Sequence, residues 1–330
     1  MRLNQLPRFP IAILPTAVTN LRRLSEQLGG PTLLIKRDDL NGLAFGGNKT
    51  RKLEFLVGEA LAQGCDCVIT GGAAQSNHCR QTAAAATAAG LECHLVLGGE
   101  EPDAITGNLL LDRLLGAVVH WSGQYRKGEQ IPQIAEELRS QGKKPYVIPY
   151  GGSNAIGATG FVEAMSELAT QLESAKQSLT HIVFASSSCG TQSGMAVGAR
   201  LFLPDVKVVG IRIDKDETEL LFEEQMVALA NDTAKHIGAD MSFVKSDFDI
   251  RDGYLGGGYG VVGDLERNAI RLLARTEGIL LDPVYTGRAF GAMVDLIKKG
   301  EFSKDDRVLF WHTGGTPALF SYAGELVRSQ

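Results

Sequence analysis

Short apolar runs alternate with helical segments along most of this chain, and that alternation constrains the fold more than any other feature. Thr32 to Lys36 reads as a strand. Beyond the helix expected over 51–63, Cys67 to Thr70, His94 to Leu97, 117–121 and 146–149 read as strands. Helices over 79–89, 107–115 and near 133–141 separate them. A second set starts with the strand His181 to Ala185 and continues through a glycine-containing loop and a helix to Val206 to Ile211. Residues 214–250 are charged and mostly helical in pattern, and 264–277 and about 287–299 read as helices. Ile279 to Leu281 and 307–311 read as strands, before a last helix. Such a βαβα rhythm predicts parallel sheets with helices on both faces. Two details are less regular. Pro15-Thr16 is expected to open a helix that ends at Gly29-Gly30, and Gly151-Gly152-Ser153-Asn154 punctuates the chain before a long helix. The two βα sets separate near residues 150–160.

Composition narrows the function classes. The chain has 330 residues, long for one core. Thirty-three basic and 38 acidic residues give a net charge of -5 without a basic run, so nucleic acid is not an expected partner. No stretch approaches the apolar length of a membrane span. The N-terminal apolar stretch is broken by prolines and lacks a cleavage pattern, so no signal peptide is expected. The five cysteines (65, 67, 79, 93 and 189) are odd in number and scattered. They suggest neither a disulfide framework nor a zinc site, and a reducing cytoplasm fits them best.

In open parallel sheets, ligands bind outside the carboxyl ends of the strands. The polar loops at such ends are therefore the candidate site. Gly46-Gly47-Asn48-Lys49 precedes a helix whose Leu53, Leu56, Val57, Ala60 and Leu61 recur at helical spacing, which puts Lys49 at a helix start. An isolated lysine is usually a solvated charge. Here the positive end of the helix, with any burial, favours the neutral amine that a Schiff base requires. Gly71 to His78 forms a small-residue nest ending in Gln75, Ser76, Asn77 and His78, where Ser76 or Asn77 could equally be a plain helix cap. Ser186 to Gly194 has the hydroxyls and backbone N–H groups of a phosphate cup at a helix start. His312-Thr313-Gly314-Gly315-Thr316 could offer hydroxyls to a ring, and a turn after Asp282-Pro283 presents Tyr285.

Two motif matches do not carry function. Gly46 to Thr50 ends like a P-loop, but Asn48 stands at the glycine required before the lysine and Leu43 at the first glycine. Gly258 to Gly263 fits G-x-G-x-x-G but follows no buried strand, and reads instead as a glycine loop presenting Tyr259. An amine at a helix start, a polar nest and a phosphate cup together point to a phosphorylated aldehyde held by a Schiff base, which is pyridoxal phosphate.

Longer stretches now carry a resemblance. Gly46 to Leu56, Gln75 to Thr82, Pro145 to Pro149, Leu281 to Gly287 and His312 to Gly315 resemble the D-cysteine desulfhydrase and 1-aminocyclopropane-1-carboxylate (ACC) deaminase family. That family belongs to the tryptophan-synthase-β-like pyridoxal phosphate enzymes, and the resemblance runs from the N-terminal arm to the last helix. It implies an α/β fold of two open twisted parallel sheets. Residues 1–50 and 160–330 would make the larger, cofactor-binding domain, and 51–159 the smaller one. It implies that Lys49 holds the cofactor and moves the substrate α-proton, that Asn77 bonds the ring's phenolic oxygen, and that Ser76 meets the substrate carboxylate or shuttles a proton. Ser188, Cys189, Gly190 and Thr191 would cradle the phosphate, although Ser187 and Cys189 depart from the smaller residues of relatives. Tyr259 and Tyr285 would flank the substrate, and a homodimer is the usual assembly.

The reaction within the family can be argued from two positions. ACC deaminases carry Glu where Thr286 stands and Leu where Thr313 stands. A carboxylate beside the pyridine nitrogen makes a strong electron sink, suited to opening a cyclopropane, whereas a hydroxyl suffices when a thiol leaves. The hydroxyls here imply α,β-elimination from D-cysteine to pyruvate, hydrogen sulfide and ammonia. L-cysteate sulfo-lyase, which has the same two residue types, and ACC deaminase are the alternatives. A non-catalytic pyridoxal-phosphate-binding protein is the alternative of a different class.

Overall fold

Period-two alternation in the strands builds two sheets, each covered on both faces. The computed structural model describes residues 1–125, 127–214 and 221–327. The chain begins with β1 (Val18–Asn20), α1 (Arg22–Leu28), β2 (Thr32–Arg37) and α2 (Asn48–Ala62). It continues with β3 (Cys67–Ala73), α3 (Asn77–Ala89), β4 (Glu92–Gly98), α4 (Gly107–Leu114), β5 (Val118–Trp121), α5 (Ile131–Ser140) and β6 (Pro145–Val147). Next come α6 (Ala155–Ala175), β7 (His181–Ser186), α7 (Gly190–Phe202), β8 (Lys207–Arg212), α8 (Phe222–Ile237) and β9 (Asp249–Arg251). The chain closes with α9 (Asp264–Glu277), α10 (Thr286–Lys298), β10 (Arg307–His312), α11 (Ala318–Ser321) and α12 (Ala323–Val327).

The larger sheet has the order β1-β2-β10-β7-β8-β9 and the smaller β5-β4-β3-β6. Every pairing is parallel except β1 with β2, where Val18 faces Lys36 and Asn20 faces Leu34. That antiparallel edge corrects two expectations: the sheet is not wholly parallel, and the segment after Pro15 is first a strand. Its helix is confined to Arg22–Leu28. Val18 and Thr19 are β-branched and find a free edge, so pairing overrides helical spacing. The apolar run Ile279 to Leu281 also forms no strand. Its Leu281 is fully buried against α10 and the sheet, while the Leu280 carbonyl bonds the His312 ring, so side-chain packing replaces a ladder. Of the segment expected to be charged and helical, 215–220 lie outside the described residues, and α8 and β9 occupy much of the rest.

Alternation explains the layers. On β10, Val308 and Phe310 face α1, α9 and α10, while Leu309 and Trp311 face α6 and α7. On β3, Val68 joins α2 and α3, whereas Cys67 and Ile69 pack on α5. Each fully buried Leu or Phe contributes about 1.5–3 kcal/mol, so these layers dominate stability.

A buried charge network fastens α2 to the larger sheet. The Arg51 guanidinium donates to both Asp38 oxygens at 2.8 Å and to both Glu167 oxygens at 3.0 Å. Lys36, with no exposed surface, donates to Glu167 at 2.5 Å and Gln171 at 2.6 Å. The Trp311 indole N–H donates to Asp38 at 2.8 Å. Every member is paired, the condition under which buried charge is tolerated. Lys49 lies two residues before Arg51, so this network fixes where its helix begins.

Candidate active site

One cavity gathers the polar loops from the carboxyl ends of β3, β7 and β10. Asn48, Lys49, Ser76, Asn77, Ser188, Cys189, Thr191, Tyr285 and Thr313 line it, all from separate parts of the sequence. Gly190 borders it, Tyr259 reaches it through Tyr285, and Thr286 lies behind its wall.

Lys49 sits in the first turn of α2. The turn before it needs Gly47, whose φ is 128°, because a Cβ there would lie 2.6 Å from the Gln81 amide nitrogen and 3.1 Å from the Thr313 carbonyl. Asn41 accepts from the Gly47 N–H and donates to its carbonyl, and the Asn48 N–H donates to the Thr313 carbonyl at 3.0 Å. The Lys49 amine donates to the Gly151 carbonyl at 3.0 Å. Burial lowers its pKa to about 8, the direction the sequence argument requires. Lys52, one turn on, donates to the same carbonyl at 3.1 Å and to Ser153 Oγ at 3.3 Å. Burial first, and then the neighbouring Lys49 charge, hold the Lys52 amine well below its ordinary range.

At the start of α3, Ser76 is both a helix cap and part of the cavity wall: its Oγ accepts the Cys79 N–H at 3.2 Å. Asn77 is oriented by a residue that sequence reasoning missed. Asn108 Nδ2 donates to Asn77 Oδ1 at 2.9 Å, which commits the Asn77 oxygen. Gln75 holds Asn108 in turn, accepting its N–H at 2.8 Å. The Asn77 amide therefore presents its N–H groups, a donor suited to a phenolate oxygen.

The β7–α7 loop makes the cup. Cys189 takes a left-handed φ of 61°, turning the chain into α7, and its Sγ points away, against Phe222 and Met226. Its contribution to the cavity is main-chain geometry. A Cβ on Gly190 would lie 2.7 Å from Ser153 Oγ and 2.8 Å from the Lys52 amine, so only glycine leaves that space open. Ser188 accepts from Ser153 at 2.9 Å, and Thr191 accepts from Asn48 at 3.2 Å. The buried Ser186 hydroxyl has no hydrogen-bond partner among the described residues. An amine that a phosphate would protonate, a hydroxyl without a hydrogen-bond partner among the described residues and a helix start around an open cradle fit a phosphate group.

Opposite, Tyr285 Oη lies 2.7 Å from Tyr259 Oη, with the rings edge-on at 5.8 Å. Burial raises both phenols well above their ordinary range, so they stay neutral proton donors. Asp282 holds this turn: its carboxylate accepts the N–H groups of Val284, Tyr285 and Thr286 at 2.8–2.9 Å. The Thr286 hydroxyl also donates to Asp282 at 2.6 Å. That hydroxyl is thus engaged with Asp282 in the turn behind the cavity wall, and Thr286 is not among the residues that line the cavity. Thr313 does line the cavity. Other residues that were missed are Tyr150 and Gly151, carried in by the turn after β6, which sequence reading had taken as punctuation only. A glycine pair after a strand was the available signal.

The family model described as pyridoxal-phosphate dependent enzyme matches residues 10–314. The chain is 43% identical over 331 residues to a D-cysteine desulfhydrase of Klebsiella pneumoniae (strain 342), covering 98% of this chain and 99% of that protein. It is 42% identical over 333 residues to a D-cysteine desulfhydrase of Salmonella newport (strain SL254), covering 98% and 99%. Among solved structures, an ACC deaminase homologue superposes with a TM-score of 0.90 at 38% identity, covering 98% of this chain and 97% of its own.

Proposed function

Because the chain belongs to the pyridoxal-phosphate dependent enzyme family, with its tryptophan-synthase-β-like fold, we propose that it is a D-cysteine desulfhydrase. The reaction is elimination from D-cysteine with one water consumed, giving pyruvate, hydrogen sulfide and ammonia. The observation that carries this reading is the convergence of Lys49, Ser76 and the Tyr285–Tyr259 phenol pair on one cavity that also contains an anion cup.

Pyridoxal phosphate, when bound, supplies an aldehyde for the amino group and an electron-withdrawing ring that acidifies the α-hydrogen. The chain supplies everything else. Lys52, Ser186, Ser188, Gly190 and Thr191 hold the phosphate, Asn77 donates to the phenolic oxygen, and Thr313 offers its hydroxyl to the ring edge. Lys49 provides the covalent anchor through Nζ. An amine with a pKa near 8 is in part neutral at physiological pH, which lets Lys49 take the α-proton. Ser76 and the N-terminus of α3 hold the substrate carboxylate, which orients the breaking bond. Tyr285, kept protonated by burial and backed by Tyr259, donates a proton to the departing sulfur.

The ACC deaminase alternative is less well supported, because no carboxylate lines the cavity and the Thr286 hydroxyl serves Asp282. We further infer a homodimer in the cytoplasm. No disulfide joins the cysteines of the described residues, and α4 and α11 pack together with Leu110, Leu114 and Phe320 exposed, an apolar face suited to a second subunit. No helix of the described residues is long and apolar enough to cross a membrane.

The test is to assay the purified protein for sulfide and pyruvate with D-cysteine, L-cysteine, L-cysteate and ACC. Sulfide from D-cysteine is expected to dominate. Sulfite from L-cysteate, or 2-oxobutyrate from ACC, as the main product would overturn the assignment. Borohydride reduction and peptide mapping should place the cofactor on Lys49, and a label on any other lysine would refute that role.

A further inference from the structure

His78 lines the same cavity, yet no step above uses it. It is the second residue of α3, and only 4% of its surface is exposed. Its Nε2 lies 2.8 Å from Thr70 Oγ1. That hydroxyl has one proton, which it gives to the Ile148 carbonyl at 2.9 Å. Thr70 must therefore accept from the ring, which places the ring proton on Nε2 and leaves Nδ1 as a bare lone pair. Nδ1 is buried and has no hydrogen-bond partner among the described residues. A buried acceptor without a donor is costly, roughly 1–3 kcal/mol, and such sites call for an explanation.

The groups around the ring indicate which donor it serves. The Lys49 and Lys52 amines both oppose protonation of His78, adding to burial, so the ring stays a neutral acceptor. The glycine pair 151–152 borders all three side chains. A Cβ on Gly151 would sit 3.3 Å from the Lys49 amine, and one on Gly152 would sit 3.5 Å from His78 Cε1 and 3.6 Å from Lys52 Cδ. Lys52 has two oxygen acceptors, Gly151 O and Ser153 Oγ, whereas among the described residues Lys49 has one, Gly151 O, beside the amine of Lys52 itself.

We propose that His78 Nδ1 is the acceptor held for the free ammonium group of Lys49, so that His78 is a positioning residue for the lysine during turnover. When Lys49 leaves the cofactor and carries the α-proton, it gains N–H groups that the Gly151 carbonyl alone cannot accept. His78 receives one of them and fixes the ammonium in place until the proton is passed on. No proton is transferred to the imidazole. This inference rests on the reading of Lys49 as the covalent and proton-moving residue.

Two substitutions separate the ring nitrogens. In H78Q the amide N–H reaches Thr70 and no acceptor remains at the Nδ1 position. In H78N the amide oxygen takes the Nδ1 position and the Thr70 bond is lost. The full chain freed of cofactor is treated with acetic anhydride across the neutral and alkaline range, and peptide mapping follows each lysine. In H78Q the pH midpoint of Lys49 labelling is expected to fall by about one unit, a tenfold shift towards the neutral amine. In H78N it should stay near the wild-type value, and Lys52 should not move in either variant. In the holoenzyme, H78Q should lower kcat with little change in KM and raise the substrate α-deuterium isotope effect, with H78N closer to wild type. The proposal is overturned by an unchanged Lys49 midpoint in H78Q, by a shift in Lys52 instead, or by a change confined to KM, which would assign the acceptor to the substrate. These labelling results need no covalent cofactor, so they stand apart from the borohydride mapping that tests Lys49 itself.

Discussion

Replacing Asp282 by alanine should damage both stability and catalysis, by amounts the structure allows to be worked out. The buried carboxylate accepts four hydrogen bonds, three from main-chain N–H groups and one from the Thr286 hydroxyl. Hydrogen bonds to a charged group contribute about 1.5–3 kcal/mol each, but they share one acceptor group whose own desolvation opposes them. A net loss of about 3–5 kcal/mol follows, large against a total of about 5–15 kcal/mol yet compatible with folding. Asn would keep one acceptor oxygen and turn an N–H₂ towards donors, so D282N should fall between wild type and D282A. Tyr285 loses its anchor in both, and kcat should drop by about 10²–10⁴ if its proton transfer depends on that placement. Urea denaturation monitored by circular dichroism, with D-cysteine turnover on the same samples, measures both effects. If D282A were within about 0.5 kcal/mol of wild type, as surface changes usually are, the capping argument would be wrong. Normal kcat in a destabilised variant would instead refute the link to Tyr285.

Three further outcomes are expected. Covalent capture of pyridoxal phosphate by the cofactor-free protein needs the neutral Lys49 amine, so its rate should rise with pH and level off above about 8. A midpoint near the ordinary lysine value of 10.5, followed by absorbance, would deny the burial effect. Asp112 is buried without a hydrogen-bond partner among the described residues, and that burial raises its pKa from 3.8 to about 8. Its folded form therefore binds a proton more tightly than the unfolded chain, and wild-type stability falls as pH climbs through that window. The melting temperature of D112N relative to wild type should accordingly increase between those two pH values, and a pH-independent difference would count against it. Gly190→Ala should weaken cofactor binding without unfolding the chain, because the methyl group enters the cup beside Lys52 and Ser153. Equal cofactor affinity by equilibrium dialysis would show that the cup is not the phosphate site.

The sequence made the strand ends readable because their side chains alternate, and the loops at those ends carried unusual polar residues. Lys49 was legible for the same local reasons: two glycines, then an apolar helix face. What escaped depends on partners far away in the chain. Asn108 controls Asn77 from 31 residues away, and the antiparallel edge exists only because β2 offers a free side to Val18–Asn20. The Asp282 bond of Thr286 is different, since its signal was nearby. Asp282 four residues earlier is a capping group, and a hydroxyl at that spacing bonds the cap before it bonds a ligand.

Two amines directed at the single carbonyl of Gly151 have a consequence for what the protein will admit. With no carboxylate of the described residues lining that cavity, the pair cannot be comfortably protonated in the empty protein. An incoming phosphate supplies the missing countercharge, so its arrival should draw protons from solution onto Lys52. Calorimetry in buffers of different ionisation heat would register that uptake. The same asymmetry acts as a filter: pyridoxal without its phosphate brings an aldehyde for Lys49 but no charge for Lys52, and should be refused at the door that the phosphorylated form opens.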